Sequence, residues 1–335
     1  MGATPEVTDD ETTILSIDGG GIRGVVPAVV LAAIEDGCED MPICELFDVI
    51  AGTSTGGILA LGLSCPGEDG APRFRAADLV KMYSTQGPQI FPHEFLGTIR
   101  RLFGPEYPEN GRRDVLTDRF GETRLKEALT EVIVTSYDIQ GRRPIFFRSD
   151  QAQVNHAHDF AMRDVALATS AAPTYFRPVV LPDAESGGEM VLVDGGVYAN
   201  NPGMCGFVDR TAAKGRRAGT LMVSLGTGEL TKPLSYGEAK GWGLIGWGSH
   251  ILDVVFDGVT EAVEYQLKTL LGPEAFYRFQ VRLTSAEEPM DDVDQANVKA
   301  LIALAEELVN QPGGQLKEVC EKLMSRRARR LTGHS

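Results

Sequence analysis

One short segment of the chain has the residue pattern of an activated serine nucleophile. Gly52-Thr53-Ser54-Thr55-Gly56 has the form GxSxG, and it lies between a strand-like run at 47–51 and a small-residue run at 56–63. A sharp turn from strand to helix would expose the Ser54 hydroxyl at a helix N-terminus, whose positive end favours developing negative charge. Glycines on both sides remove the Cβ atoms that would collide with neighbouring backbone. The segment therefore predicts a nucleophile elbow.

A second segment is a glycine-rich loop, Gly19-Gly20-Gly21-Ile22-Arg23-Gly24, after a strand-like run at 13–18. Its backbone N–H groups can converge on the oxyanion of a tetrahedral intermediate. The spacing also matches GxGxxG, the dinucleotide-binding pattern, which expects an acidic residue at the end of a second strand about 20 residues later. The acidic residues at about this distance are Glu39, Asp40 and Glu45, and they lie in or near a predicted loop at 36–42, not at the end of a strand. Because the glycine loop also accompanies a serine elbow, we favour an oxyanion hole over a binding site for NAD.

The serine also needs a base, which histidines or carboxylates can provide. Asp194 follows the strand-like run VLV and precedes Gly195 and Gly196, which allow close approach, so its carboxylate could contact Ser54. An aspartate near its usual pKa of about 4 is a weak base unless it is partly desolvated. Spacing alone therefore leaves a loop-capping role open for Asp194. No histidine lies in a sequence context typical of a catalytic base. The order of a Ser-Asp-His triad along the chain would admit His250. The five histidines are His93, His156, His158, His250 and His334.

The elements around these segments alternate between strand, glycine turn and helix. Two such units in succession, at 13–34 and 47–63, predict βαβ architecture with a parallel sheet. The segment 87–113 mixes aromatic residues, Pro, Gly and Arg without a period, which predicts an irregular flap. The other predicted elements are helices at 122–132, 160–168, 259–270 and 298–309, a helix after 200–202, and strands at 132–138, 144–149, 190–193 and 220–225.

The composition is that of a globular protein with a strong acidic excess. Of its 335 residues 43% are hydrophobic and 24% charged, and the formal net charge is −15. This charge argues against a nucleic-acid partner and against attraction to anionic membranes. The sequence shows no signal peptide and no apolar run of about 18 residues, which predicts an intracellular protein, at most peripheral to a membrane. The cysteines show no metal-ligand spacing and predict reduced thiols; they are Cys38, Cys44, Cys65, Cys205 and Cys320.

Taken together, the segments resemble the patatin-like phospholipase family. The resemblance lies in LSIDGGGIRG at 15–24, GTSTGG at 52–57, ATSAAPTYF at 168–176, DGGVYANNP at 194–202 and SLGTG at 224–228. It implies a three-layer α/β/α fold with a mainly parallel central sheet, and no metal or other cofactor. It also implies a dyad of Ser54 and Asp194. Spacing alone favours a loop-capping role for Asp194, whereas the resemblance favours its role as the base. The implied oxyanion hole is the loop backbone of Gly20, Gly21, Ile22 and Arg23.

The resemblance further implies hydrolysis of membrane phospholipids or lysophospholipids through an acyl-serine intermediate. We expect a flexible N-terminus at 1–12, one hydrolase domain at 13–325 and a basic tail at 326–335. We also expect a cytoplasmic enzyme that lies against the inner membrane face when active. Apolar flap residues either contact lipid or belong to the core, two alternatives that stay open; these residues are Ile90, Phe91, Phe95, Leu96, Ile99, Leu102 and Phe103.

Some bacterial members of this family are antiviral effectors that a cyclic nucleotide switches on, and the compact chain resembles them as well as plant storage hydrolases. A cyclic-dinucleotide activator is therefore one hypothesis. Four arginines are either its phosphate contacts or solvated charge, and we favour solvated charge; they are Arg100, Arg101, Arg112 and Arg113. Acyl transfer to an acceptor other than water, and a silent lipid- or nucleotide-binding module, stay open as alternatives, as does the oligomeric state.

Overall fold

A computed structural model describes residues 11–90, 109–214, 219–231, 233–283, 290 and 292–332. The strands are β1 (Thr12–Ile17), β2 (Val49–Thr53), β3 (Glu131–Asp138), β4 (Arg143–Arg148), β5 (Val179–Asp183), β6 (Gly188–Asp194), β7 (Thr220–Leu225), β8 (Glu229–Leu230), β9 (Phe276–Phe279) and β10 (Arg282–Leu283). The helices are α1 (Val25–Gly37), α2 (Ile43–Leu46), α3 (Thr55–Ser64), α4 (Ala76–Ile90), α5 (Glu109–Phe120), α6 (Ser149–Val154), α7 (Met162–Thr169), α8 (Gly196–Ala199), α9 (Gly203–Lys214), α10 (Tyr236–Ala239), α11 (Leu244–Leu271), α12 (Gln295–Val309) and α13 (Gln315–Thr332).

The central sheet is mixed but mainly parallel. Within the described residues it has eight strands in the order β5-β6-β3-β2-β1-β7-β9, with β4 paired to β3. The pairs β2–β3, β1–β2, β1–β7 and β7–β9 are parallel. The pairs β3–β4, β3–β6 and β5–β6 are antiparallel. The predicted α/β class with a mainly parallel sheet is confirmed.

Helices cover both faces of this sheet. Side chains of a strand alternate between its two faces, so neighbouring residues of one strand pack against different helices. Leu15 on β1 and Val223 on β7 belong to the larger core cluster, which contains residues of α1, α3 and α12. Ile14 and Met222, one position earlier, belong to a second cluster with Leu267 of α11 and residues of α9. The result is the three-layer α/β/α arrangement that the resemblance implies.

The helix predicted at 122–132 is wrong for most of its length. Only a 3₁₀ turn at Leu125–Glu127 forms, and β3 begins four residues later. The backbone here also bonds to a distant segment, since the Leu125 N–H donates to the Phe160 carbonyl at 2.9 Å. The Asp159 carboxylate also accepts from the Lys126 N–H at 3.2 Å. Tertiary contacts therefore override local helix propensity.

The predicted irregular flap at 87–113 is wrong at both ends, because α4 continues to Ile90 and α5 begins at Glu109. Ile90 is buried in the main core cluster. Of the two alternatives for this residue, lipid contact and core packing, the structure shows core packing. A Cβ on Gly87 would lie 2.6 Å from Ile22 Cδ1, so this glycine lets α4 approach the glycine loop. The other apolar flap residues, with Arg100 and Arg101, lie outside the described residues.

The segment expected to be a solvated basic tail is instead helical up to Thr332, as the last turns of α13. Its arginines pair with carboxylates of the domain: Arg327 Nη2 lies 2.7 Å from Glu45 Oε2, and Arg330 pairs with Asp48. The complementary charges explain why the helix docks on the fold. The expected flexible N-terminus, apart from its last two residues, lies outside the described residues. No helix in the described ranges is both long and apolar enough to cross a bilayer.

Candidate active site

Ser54 occupies a strained turn between β2 and α3. Its φ of 55° and ψ of −122° put a non-glycine residue in a region that L-amino acids rarely adopt. The Ser54 N–H donates to Thr169 Oγ1 at 2.8 Å, and that hydroxyl donates to the Thr135 carbonyl at 2.7 Å. The Ser54 carbonyl accepts the first α3 bond from Ile58 N–H at 3.0 Å. The surroundings therefore hold the serine in the geometry that the sequence predicts for a nucleophile elbow.

The two flanking glycines are required by close contact between backbones. A Cβ on Gly56 would lie 2.1 Å from the Ile17 carbonyl oxygen at the end of β1. A Cβ on Gly52 would lie 2.3 Å from the Gly56 carbonyl oxygen, across the elbow itself. Both distances are far shorter than van der Waals contact, so any side chain here would push α3 away from the sheet.

Asp194 lies at the end of β6 with 1% of its surface exposed, and it lines the same cavity as Ser54. Its Oδ1 accepts from the Gly196 N–H at 2.7 Å, and its own backbone N–H donates to the Ala171 carbonyl at 2.9 Å. Burial raises the pKa of Asp194 to about 6, against the lowering effects of the Ser54 hydroxyl, the Gly196 N–H and the Arg112 charge. A carboxylate with this pKa is a stronger base than an exposed aspartate.

The glycine loop lies beside Ser54 and Asp194, and its N–H groups fall into two groups. The Ile22 N–H donates to the Met290 carbonyl at 2.9 Å, and the Arg23 N–H donates to the Gly20 carbonyl at 3.2 Å. For Gly20 and Gly21, which line the same cavity as Ser54, no acceptor is found among the described residues. Of the four donors predicted for an oxyanion hole, Gly20 and Gly21 are the two whose N–H groups have no acceptor among the described residues.

Steric contacts explain why this loop is glycine-rich. Gly21 has a φ of +60°, and a Cβ on it would lie 2.2 Å from the Met290 carbonyl oxygen. A Cβ on Gly20 would lie 2.2 Å from Thr227 Oγ1, which itself donates to the Gly19 carbonyl at 2.7 Å. The loop is therefore pressed against the residues after β7, with no room for a side chain.

The acidic residues that a dinucleotide site would need lie far from a strand end. Glu39 and Asp40 form a turn after α1, with φ values of 58° and 59°, and Glu45 is part of α2 and pairs with Arg327. The ribose contact of a dinucleotide fold is made by an acidic residue at the end of the second strand. This geometry supports the oxyanion-hole interpretation of the loop.

A narrow cavity joins Ser54 and Asp194 to the glycine loop. It has a volume of about 40 Å³, room for a few water molecules but not for an acyl chain. Part of its wall comes from α11, whose Phe256 ring lies 3.1 Å from where a Cβ on Gly196 would be. The lining residues are Gly20, Gly21, Ser54, Ser170, Ala172, Tyr175, Phe176, Asp194, Asn200, Leu252, Phe256 and Met290.

No histidine in the described part of the chain lines this cavity. His156 is exposed, His158 Nε2 lies 3.2 Å from Glu185 Oε1, and His250 stacks on Trp242 with ring centroids 4.3 Å apart. His93 and His334 lie outside the described residues. Among those described, no cluster of three or more His, Cys, Asp or Glu side chains could hold a metal ion.

Arg112 is a site residue whose role the sequence did not reveal, and the interpretation of Arg112 as solvated charge is wrong. Only 1% of its surface is exposed. Its Nη1 donates to the Ser170 carbonyl at 2.6 Å, and its guanidinium carbon lies 3.9 Å from the centre of the Phe176 ring. The position shares a helical face with buried Val115 and Leu116, three and four residues later, and this spacing is the signal that could have indicated burial. Arg113, by contrast, is exposed.

Arg278 on β9 is another buried arginine whose role the sequence did not reveal, and it forms an ion pair. Its Nη2 lies 2.7 Å from Oδ2 of Asp18, the residue just before the glycine loop. Its Nε lies 3.3 Å from Glu264 Oε2 on α11, and its Nη1 donates to Ser224 Oγ at 2.9 Å. Burial raises the pKa of Asp18 to about 6 even with Arg278 beside it. The arginine therefore ties the start of the glycine loop to α11.

Replacing Arg278 with methionine should lower the free energy of unfolding by about 3–5 kcal/mol, because Asp18 would keep a buried charge without its partner. The loss should be smaller at pH 5 than at pH 8, since a protonated Asp18 has no charge to compensate. Urea denaturation at both pH values measures this. The double variant Arg278→Met/Asp18→Asn should recover part of the loss, and a single variant as stable as wild type would contradict the assignment.

The chain is similar to several known proteins. The patatin-like phospholipase family model matches residues 15–203, which include the loop, the elbow and Asp194. Patatin-15 of Solanum tuberosum is 33% identical over 97% of this chain and 90% of its own length. Patatin-like protein 2 of Oryza sativa subsp. indica is 32% identical over 89% of this chain and 84% of its length. The solved structure of VipD from Legionella pneumophila matches 89% of this chain and 67% of its own, with a TM-score of 0.33 and 12% identity. The chain belongs to the patatin-like phospholipase family.

Proposed function

We propose that the chain hydrolyses acyl ester bonds of membrane phospholipids or lysophospholipids with a dyad of Ser54 and Asp194. The observation that carries this proposal is that the buried Asp194 lines one cavity with Ser54 of the elbow, where the Ser54 hydroxyl interacts with the Asp194 carboxylate. Gly20 and Gly21 line the same cavity, and their amides are the proposed oxyanion donors. Family membership supports lipid acyl hydrolysis as the class of reaction.

In the first half of the proposed cycle, Asp194 accepts the Ser54 proton as the Ser54 oxygen attacks the ester carbonyl carbon. The carbonyl oxygen becomes an oxyanion, which the Gly20 and Gly21 N–H groups and the N-terminus of α3 stabilise. The intermediate then collapses and the bond to the leaving alcohol breaks. That alcohol takes the proton from Asp194 and leaves as the lysolipid, while Ser54 keeps the acyl group.

In the second half, a water molecule attacks the acyl-serine. Asp194 accepts a proton from this water, the same amides stabilise the second oxyanion, and the proton returns to the Ser54 oxygen as the fatty acid leaves. A pKa of about 6 makes Asp194 mostly ionised at neutral pH and therefore ready to accept a proton at the start of each half.

Fatty-acid release tests this proposal directly. The purified chain is incubated with phosphatidylcholine vesicles, with lysophosphatidylcholine and with a soluble short-chain ester, and free acid is quantified. A fluorophosphonate probe should label Ser54, as peptide mass spectrometry would show. If an added alcohol receives the acyl group in preference to water, the acyltransferase alternative is correct. If no ester is cleaved and no probe attaches, the chain is instead a catalytically inactive binding module.

Replacing Gly21 with alanine should lower kcat by about 10²–10³-fold, as loss of one oxyanion donor does in acyl-transfer enzymes. The added Cβ would lie 2.2 Å from the Met290 carbonyl oxygen, so the loop and its N–H groups must shift. Steady-state kinetics on the soluble ester measures kcat and KM separately. Gly187→Ala is the matched control, because Gly187 also has positive φ, +72°, but has no atom within 4 Å of its added Cβ. Equal losses in both variants would argue against the oxyanion hole.

A cyclic-dinucleotide activator stays a prediction. Arg112, one of the four arginines considered as phosphate contacts, is buried between Phe176 and Ser170 and is not accessible to a phosphate. Arg113 is exposed, so of these four it is the described arginine that could contact one. Adding cyclic dinucleotides to the fatty-acid assay tests the hypothesis. A rise in rate that Arg113→Ala removes would support it, and an unchanged rate with each dinucleotide would exclude those activators.

A further inference from the structure

One face of the first half of α11 is apolar and exposed. Trp247, Ile251 and Val254 are spaced four and three residues apart, so they lie on one side of the helix. Their exposed fractions are 43%, 43% and 41%. Trp242, just before the helix, packs edge-on against Trp247 with ring centroids 5.3 Å apart. We call these four residues the outer face of α11.

The opposite side of the same helix is part of the candidate active site. Leu252 and Phe256 line the cavity beside Ser54 and Asp194. Further along, Thr260 Oγ1 accepts from Asn200 Nδ2 at 3.0 Å, and Glu264 pairs with Arg278. The second half of α11 is thus fixed to the residues after Asp194 and before the glycine loop. Its first half separates the catalytic cavity from solvent.

We propose that the outer face of α11 docks on the surface of a lipid bilayer and lets an acyl chain enter the cavity behind it. This inference rests on the proposed function, because the acyl ester of a membrane lipid must leave the bilayer to reach Ser54. The cavity of about 40 Å³ is too small for that chain as it stands. Movement of the first half of α11, which carries Leu252 and Phe256, would enlarge it from the side that faces the lipid.

The chemistry of the outer face fits a lipid surface of no net charge. Residues 244–256 contain one acidic residue, Asp253, and no lysine or arginine, in a chain with a net charge of −15. This segment therefore offers no basic side chain to attract anionic lipid, and adsorption through it must come from apolar burial. Both tryptophans of the chain, Trp242 and Trp247, lie on this face. Tryptophan is the side chain that favours the boundary between headgroups and acyl chains.

Because the chain has only these two tryptophans, its tryptophan emission, excited selectively over the eight tyrosines, reports on this face alone. The experiment uses the full chain with Ser54→Ala, so that vesicles stay intact, and phosphatidylcholine vesicles with or without brominated acyl chains. We expect a blue shift of the emission on vesicle addition and quenching by the brominated lipid. Vesicle binding without either change would place the contact elsewhere and overturn the proposal, as would no binding at all.

A pair of variants tests the same face without altering the tryptophans. Ile251→Asp/Val254→Asp should weaken vesicle cosedimentation about tenfold or more, since it places two charges at the lipid contact. The matched control is Val154→Asp/Val208→Asp, because these valines are 86% and 56% exposed on α6 and α9. Thermal unfolding checks that all variants are folded. Equal vesicle binding by both pairs would overturn the proposal.

A second copy of the chain is the competing occupant of this face. In that case the tryptophan emission would shift with protein concentration in lipid-free buffer, together with a dimer in sedimentation velocity. This outcome would overturn lipid docking. Failure of the docking proposal can be told apart from failure of the proposed function. Vesicle binding is measured with Ser54→Ala, which needs no catalysis, whereas hydrolysis of a soluble ester by wild type needs no vesicle.

Discussion

Alanine in place of Ser54 should lower the rate of ester hydrolysis by about 10⁵-fold or more, the scale on which serine hydrolases lose activity without their nucleophile. The Ser54 oxygen is the atom that becomes acylated in the proposed cycle, and no other hydroxyl in the described residues has its position at the elbow. The protein should stay folded, because alanine keeps the backbone bond from the residue-54 N–H to Thr169 Oγ1. Active-site titration with a chromogenic ester gives both the rate and the acyl-enzyme burst, which should vanish.

The control for this variant is Ser64→Ala at the other end of α3. Ser64 is fully buried, and its hydroxyl donates to the Ala60 carbonyl at 2.8 Å, a contact within the helix. This change removes a buried serine hydroxyl from the same helix without touching the cavity, so kcat should stay within about threefold of wild type. If Ser54→Ala kept a substantial burst, or if both variants lost activity equally, Ser54 would not be the nucleophile.

The sequence predicted the parts of this site that depend on neighbours along the chain. Gly52 and Gly56 indicated the elbow because they lie beside Ser54 in sequence and in space. The strands and helices that carry Ser54 and the glycine loop were predicted close to their observed bounds. Local pattern succeeded here because a strand, a tight turn and a helix form from adjacent residues.

Features that depend on distant segments could not be predicted from the sequence. Arg278 lies 260 positions from Asp18, and nothing near either residue indicates their ion pair. The Ile22 N–H is engaged by the Met290 carbonyl, which removes a donor from the predicted oxyanion hole. The proposed partner of Ser54 was the same kind of problem, since Asp194 lies on β6, beyond β3 from the strand that carries Ser54. Family resemblance, and not spacing, indicated that pair.

Replacing Asp194 with asparagine should lower kcat by about 10²–10⁴-fold, the contribution of a positioned general base. The amide can keep the hydrogen bond from the Gly196 N–H but cannot take the Ser54 proton. In wild type, kcat/KM should fall about tenfold per pH unit below pH 6, where Asp194 becomes protonated. The residual activity of the variant should lack this acid limb. Rates measured from pH 4.5 to 8.5 give both results.

The matched control is Asp183→Asn, which separates catalysis from turn capping. Asp183 also ends a strand, β5, and its Oδ1 accepts from the Glu185 N–H two residues later at 3.1 Å, as Asp194 does from Gly196. If capping were the whole role of Asp194, the two variants would lose similar activity. A large loss in Asp194→Asn alone identifies the base.

Stability should respond to Asp194→Asn in the opposite direction to activity. Burial raises the pKa of Asp194 from 3.8 to about 6, so the folded state binds a proton more readily than the unfolded state. The stability that this protonation contributes is complete below about pH 4 and is lost as the pH rises through 6. Asparagine never ionises, so the variant should be more stable than wild type at pH 8, by about 1–3 kcal/mol, and no more stable at pH 4. Urea unfolding at the two pH values measures the difference, and a variant destabilised equally at both would show that the buried charge is not the source of the shift.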